Sequence, residues 1–228
     1  MEPVRARVKQ PGAARRLPAG LGCLLVTAIV ACGGCDYFRP AVPETSTLGS
    51  GIIPNYRQPD STLTTLARGI QDKGRTNGLA AYIGGFADST NDGREFHAFF
   101  DPATVNRMQQ RGISPPDDWN RGHEEQDFYP RFVTLSTVPA EAEYLVTWIK
   151  DPTPGEDDYG SETATLYREY RVYGILNGET QHIARGFASL HFVKVSSKWL
   201  LVRWDDREAT NADLASGELC WGQRRLEP

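Results

Sequence analysis

Apolar positions change their spacing once along this chain, from helical in the first half to alternating in the second. Leu63, Leu66, Ala67 and Ile70 recur at three-to-four spacing behind Asp60-Ser61-Thr62, which offers a helix N-cap, and Gly74 closes that helix. Leu79, Tyr82, Ile83 and Phe86 repeat the pattern. Gly78, Gly84 and Gly85 cost roughly 1 kcal/mol each relative to alanine, so packing must hold this second helix. A turn cluster at 89–93 leads into a short strand over 94–100, closed by Asp101-Pro102. Ser114-Pro115-Pro116-Asp117 then predicts a third helix over 119–129, stopped near Pro130.

From residue 131 the period is two. Segments 132–138, 144–150, 164–176, 179–195 and 198–206 are rich in β-branched and aromatic residues, with a loop around 152–160. Asn177-Gly178 is the pair that a type I′ hairpin turn demands, and Ser196-Ser197 makes a second tight connection, so the last three strands form a meander. Alternation over 183–192 places Arg185 and His191 on one face and Ala184, Gly186, Ala188, Leu190 and Phe192 on the other. Gly186 between two alanines leaves a strip with little side-chain volume, taken either by close packing or by a ligand, with packing favoured. Trp199 and Trp204 are five apart and so expected on opposite faces, one in the core and one on the outer surface, where a tryptophan beside Arg203 suits a partner contact although a partly buried scaffold role is the more common outcome. Residues 209–228 show no clear element, although Leu219, Cys220 and Trp221 are apolar enough to dock back. Helices first and antiparallel strands last is an α+β order, in one domain over 61–208.

The first 35 residues carry an address. Arg5, Arg7, Lys9, Arg15 and Arg16 precede an apolar run from 21 to 31 that ends at a cysteine, the pattern of a secretory signal over 1–31. Eleven residues are too few for a membrane span, which needs about 20. Ile29-Val30-Ala31-Cys32 resembles the lipobox of bacterial lipoproteins, which implies cleavage before Cys32, its diacylation, and anchoring in the membrane. Gly33 after the anchor, where an aspartate would retain the protein in the inner membrane, points by resemblance to the outer membrane facing the periplasm. Residues 36–60 are rich in Pro, Ser, Thr and Gly and read as a tether. After loss of Cys23 the chain keeps Cys35 and Cys220, which an oxidising periplasm allows to pair or to remain separate thiols.

Composition is that of an ordinary globular chain, at 39% hydrophobic and 24% charged residues. The formal net charge of −4 conceals a split, since beyond residue 31 there remain 20 basic against 28 acidic residues. That body has no basic patch of the kind that binds nucleic acid. The order of elements, with Phe99-Phe100-Asp101-Pro102 ending an aromatic strand, Trp119 opening the third helix, and Trp199 to Asp206 ending the meander, resembles nuclear transport factor 2-like (SnoaL-like) domains. The resemblance spans about 61–208 and implies a cone, with three N-terminal helices packed on a strongly curved antiparallel sheet around an interior pocket. The Trp119, Glu124, Glu125 stretch and the terminal Trp-Asp-Asp are similar to uncharacterised envelope lipoproteins of that superfamily. It contains isomerases, dehydratases, cyclases and non-catalytic assembly domains alike, so the resemblance carries no activity.

Acid-base chemistry in such a cone needs a carboxylate or histidine base and a tyrosine or second acid to donate. The candidates are Tyr82, His97, Asp101, Arg185 and His191, with Asp101 or His191 as base and Tyr82 as donor. The plainer reading, a solvated or hydrogen-bonded role for each, is favoured because no committed motif accompanies them. Metal binding has little support: the histidines at 97, 123, 182 and 191 are scattered, and Glu156-Asp157-Asp158 lacks the ligand spacing of a calcium loop. No cofactor motif is present. The expectation is a lipid-anchored binding or assembly module, with a small molecule in the cone or a homodimer through the sheet as its partners, and a small-molecule enzyme as the alternative.

Overall fold

The computed structural model describes residues 52–73, 77–135, 138–209 and 219–227. The signal, Cys32, Cys35 and most of the tether lie outside them. None of the described helices is long and apolar enough to cross a membrane. Two helices open the fold, α1 (Pro59–Gln71) and α2 (Gly78–Ile83), followed by the single turn α3 (Ser89–Asp92). Proline in the first turn starts α1, and its buried face is the one the periodicity marked, Leu63, Leu66, Ala67 and Ile70. Strand β1 (His97–Phe99) runs into α4 (Pro102–Gln110), and β2 (Trp119–Asn120) into a helical run made of α5 (Arg121–His123), a π-helical stretch (Glu124–Phe128) and α6 (Tyr129–Val133). Then come β3 (Glu143–Lys150), the short β4 (Asp158–Tyr159), the long β5 (Thr163–Leu176), β6 (Glu179–Val195) and β7 (Lys198–Glu208), and finally α7 (Trp221–Leu226).

The strands form one curved, unclosed sheet in the order β2-β1-β7-β6-β5-β3, with β4 pairing the start of β5. All pairs are antiparallel except β1 with β7. Asn177 and Gly178 both have positive φ, 53° and 83°, as the tight β5–β6 hairpin requires. The inner face and the helices share one core that includes Leu63, Ile70, Phe86, Phe96, Phe128, Phe132, Leu166, Val172, Leu190 and Trp204. This is the cone expected from the order of elements.

Four local expectations are corrected. Residues 119–129 are a bridge followed by a helix, whose start is capped by Asn120, accepting from the Gly122 and His123 amides, and not by Ser114. Pro130 does not stop that helix. The Tyr129 N–H already bonds five residues back to the Glu124 carbonyl, and in this widened turn the proline's missing N–H is absorbed, so α6 continues through Phe132 where a strand was expected. Asp101 ends no strand alone; its carboxylate accepts from the Ala103 amide at 2.8 Å and starts α4, a helix that the polar sequence Asn106 to Gln110 disguises. Trp199 and Trp204 both face inward. Between the pairs Phe192–Leu201 and His191–Arg203, β7 advances two residues to one on β6, and this bulge at Val202 resets the alternation.

Gly186 is a packing glycine. It lies opposite Tyr170, and a Cβ there would fall inside the Tyr170 hydroxyl and 2.9 Å from the Arg207 carbonyl oxygen. The thin strip is therefore filled by the tyrosine of the neighbouring strand. Gly186→Ala is expected to destabilise the protein by about 1–3 kcal/mol through overpacking; an unchanged denaturant midpoint would mean that Tyr170 does not stand over β6.

At the rim, the buried Arg168 forks between Asp157, at 2.8 and 2.9 Å, and Asp60 at 2.8 Å, tying the 151–160 loop to the start of α1. Burial alone would raise the Asp157 pKa, but the Arg168 hydrogen bonds and the Tyr167 amide outweigh it and hold the carboxyl below its usual range. A folded-state pKa depressed in this way adds stability above the unfolded value, about 4, and loses it as the pH falls through the folded value. Acid unfolding is thus expected to begin below about pH 4, and Asp157→Asn to flatten that limb in urea titrations at successive pH values.

Candidate functional site

The concave side of the sheet is closed by the chain's own last helix. Leu219 bridges Ala184 on the part of β6 that β7 leaves uncovered, with Arg185 N donating to the Leu219 carbonyl at 3.0 Å. Cys220 caps α7, its Sγ accepting from Gln223 N at 3.3 Å, and burial pushes its thiol pKa up. From this start α7 sends two side chains inward. Trp221 stands among Phe128, Phe132, Trp148, Tyr170 and Trp204, with ring centroids 5.2–6.1 Å away. One turn on, Arg225 is fully buried, its Nε donating to Glu124 at 2.5 Å and its guanidinium lying 4.4 Å over the Trp204 ring.

Glu124 is the hub. The π-helical stretch carries it to the inner side of the run, where it is 0% exposed and accepts from the Tyr82 hydroxyl at 2.7 Å and Trp119 Nε1 at 2.9 Å as well. Burial first, and then the Glu124 charge, push the Tyr82 pKa well up, so the phenol stays protonated and donates. The Trp221 indole lies near the Tyr82 oxygen without a well-aligned bond, and neither Arg225 Nη1 nor Nη2 meets an acceptor among the described residues.

A second buried carboxylate sits at the start of α7. Asp206 accepts from Tyr170 at 2.8 Å and from Gly222 N at 2.7 Å, which satisfies an amide of the first helical turn. Burial raises its pKa despite the Arg225 charge and these bonds. Tyr170 in turn accepts from Trp221 N at 2.7 Å.

The sequence candidates do not converge. Tyr82 alone is inside the cone. His97 lies on the short strand β1, half-exposed, 2.6 Å from Asp118, and Asp101 is the α4 cap. Arg185 and His191 share one face, as the alternation required, but it is the outer one: Arg185 pairs with Glu169 at 2.7 Å, and His191 with Asp205 at 3.2 Å and Thr165 at 3.1 Å. The Thr165–His191–Asp205 row has the order of a nucleophile, base and orienting acid. It lies on the open outer face of three central strands, on the opposite side of the sheet from the Tyr82–Glu124 pair.

The described residues form surface hollows. One of about 520 Å³ lies between the end of α1 and the start of β3, and one of about 180 Å³ on the outer face is lined by Asp151, Phe187, Ser189, Asp205 and Arg207. Neither is lined by Tyr82, Glu124 or Arg225. Among the described residues no three metal-ligating side chains cluster. Sequence reasoning missed Arg225, Asp206 and the role of Glu124; the Trp-x-x-x-Arg spacing at 221 and 225, one helical turn, was the available signal.

No protein-family model matches this chain, and no curated protein matches it by sequence. Solved structures that it is similar to include a candidate calcium/calmodulin-dependent protein kinase type II association domain from Thiobacillus denitrificans (10% identity, 69% of this chain and 100% of that one, TM-score 0.43). Others are an NTF2-like protein of unknown function from Pseudomonas putida (8% identity, 68% and 86%, TM-score 0.41) and an NTF2-like superfamily protein from Salmonella enterica (12% identity, 66% and 88%, TM-score 0.40). The described residues themselves show a mixed α+β domain whose curved, unclosed and mostly antiparallel sheet packs on helices, the architecture expected from the order of elements.

Proposed function

We propose that this protein is a lipid-anchored, non-catalytic binding or assembly module of the bacterial envelope, held at the outer membrane through Cys32 and meeting its partner on the outer face of the sheet. The observation that carries this reading is the filled interior: Trp221 and Arg225 stand where a substrate would have to lie, and cover the Tyr82–Glu124 pair that would act on it. The outer face offers what a contact needs. Phe187 and Phe99 are overlaid by Arg207 and Arg203 at 5.1 and 4.2 Å, and Leu145 and Ile149 are exposed along the edge strand β3. Aromatic-arginine pairs of this kind are enriched where proteins bind each other. A second copy of the chain is the partner put forward.

Two measurements test the reading. Cys32→Ser should abolish acylation and release the protein from the membrane fraction, and unchanged partitioning would remove the anchor. Sedimentation of that soluble variant should show mass rising with concentration, and Phe187→Asp should suppress the rise; a strictly monomeric protein at all concentrations would remove self-assembly.

A further inference from the structure

The buried end of Arg225 is the least satisfied part of the molecule. Its Nε is bound to Glu124, but Nη1 and Nη2, in a side chain with no exposure, have no acceptor among the described residues. An unmet buried donor is costly, and more so on a charged group. The walls around it are nonetheless built for a guanidinium: a carboxylate held from two further sides by Tyr82 and Trp119, and an indole face, Trp204, at stacking distance. Beside it the ring of five aromatic residues holds an indole. The element that fills both positions is six residues long, too short to be helical without its tertiary contacts.

We propose that the Glu124 end of the cone is a recognition site for an arginine and a tryptophan one helical turn apart, occupied in cis by α7 and open in trans to a partner polypeptide carrying the same pair. The occupant in cis is imperfect, since two of its three guanidinium nitrogens have no acceptor among the described residues, so a segment that reaches Glu124 through both Nη atoms competes with it. The site is independent of the outer face, and either can fail without the other.

The test uses the full chain and two probes. In Arg225→Ala, ethylguanidinium is expected to raise the melting temperature at concentrations that leave the wild type unchanged, and the additional change Glu124→Gln is expected to abolish that rescue. In the wild type, an excess of the peptide Trp-Gly-Gln-Arg-Arg-Leu is expected to accelerate amide exchange of residues 221–226 severalfold, while the same peptide with alanine for its first residue and its second arginine does not. Absence of rescue in a folded Arg225→Ala protein overturns the guanidinium site. If that variant does not fold, the wild-type competition decides alone, and unchanged exchange at saturating peptide overturns the proposal.

Discussion

Trp221→Ala is expected to be the most damaging single substitution in the chain. The indole is 1% exposed and touches five aromatic rings from the π-helical stretch, α6, β3, β5 and β7, so its removal empties the space on which helices and sheet converge. Truncation of a buried tryptophan costs about 3–5 kcal/mol when the surroundings cannot collapse. Here collapse is opposed by β5 and β6, whose long ladder fixes Tyr170 opposite Gly186. For a domain of this size the loss corresponds to a fall in Tm of roughly 10 °C or more. Thermal unfolding followed by far-ultraviolet circular dichroism measures it, and a fall of only a degree or two would place Trp221 outside the core.

The second large effect is on the Glu124–Arg225 pair. Both partners are fully buried, so removing one leaves the other charge without its counterion, at a cost of about 3–5 kcal/mol. Glu124→Leu and Arg225→Met are each expected to show that loss. Replacing both members together, Glu124→Leu with Arg225→Met, is expected to recover most of it, because desolvation of the two charges offsets much of their attraction. Tyr82 and Trp119 temper the recovery, since each would lose its acceptor on Glu124. Urea midpoints of the single and double variants form the cycle, and additive losses would show that the two groups do not meet.

What the sequence reveals of this molecule follows the range of the interactions. The β5–β6–β7 meander is legible because Asn177-Gly178 and simple alternation are local signals, and the first helix because its apolar spacing is unbroken. Trp199 and Trp204 mislead because one extra residue, Val202, shifts the register, and a bulge has no mark in a run of β-branched and aromatic residues. Pro130 misleads for a related reason: the turn before it is wider than an α-turn, and composition does not announce a π-turn. The interior site was half visible. The apolar spacing of 79–86 marks the inward face that carries Tyr82, but its partner Glu124 lies 42 residues away in sequence and Arg225 a further 101. Nothing local tells a six-residue helix in a tail that it will be the plug of a cone, because its stability is entirely tertiary.

The function proposed for the protein depends on the C-terminal segment filling the cone. A crystal structure of the mature protein tests it most directly. The account predicts continuous electron density for residues 219–227 on the concave face, with Arg225 within hydrogen-bond distance of Glu124 and the Trp221 ring between Phe132 and Trp148. A solvent-filled interior, with Glu124 and Tyr82 facing water and the C-terminal residues elsewhere, would contradict it and return Tyr82 and Glu124 to consideration as an acid-base pair.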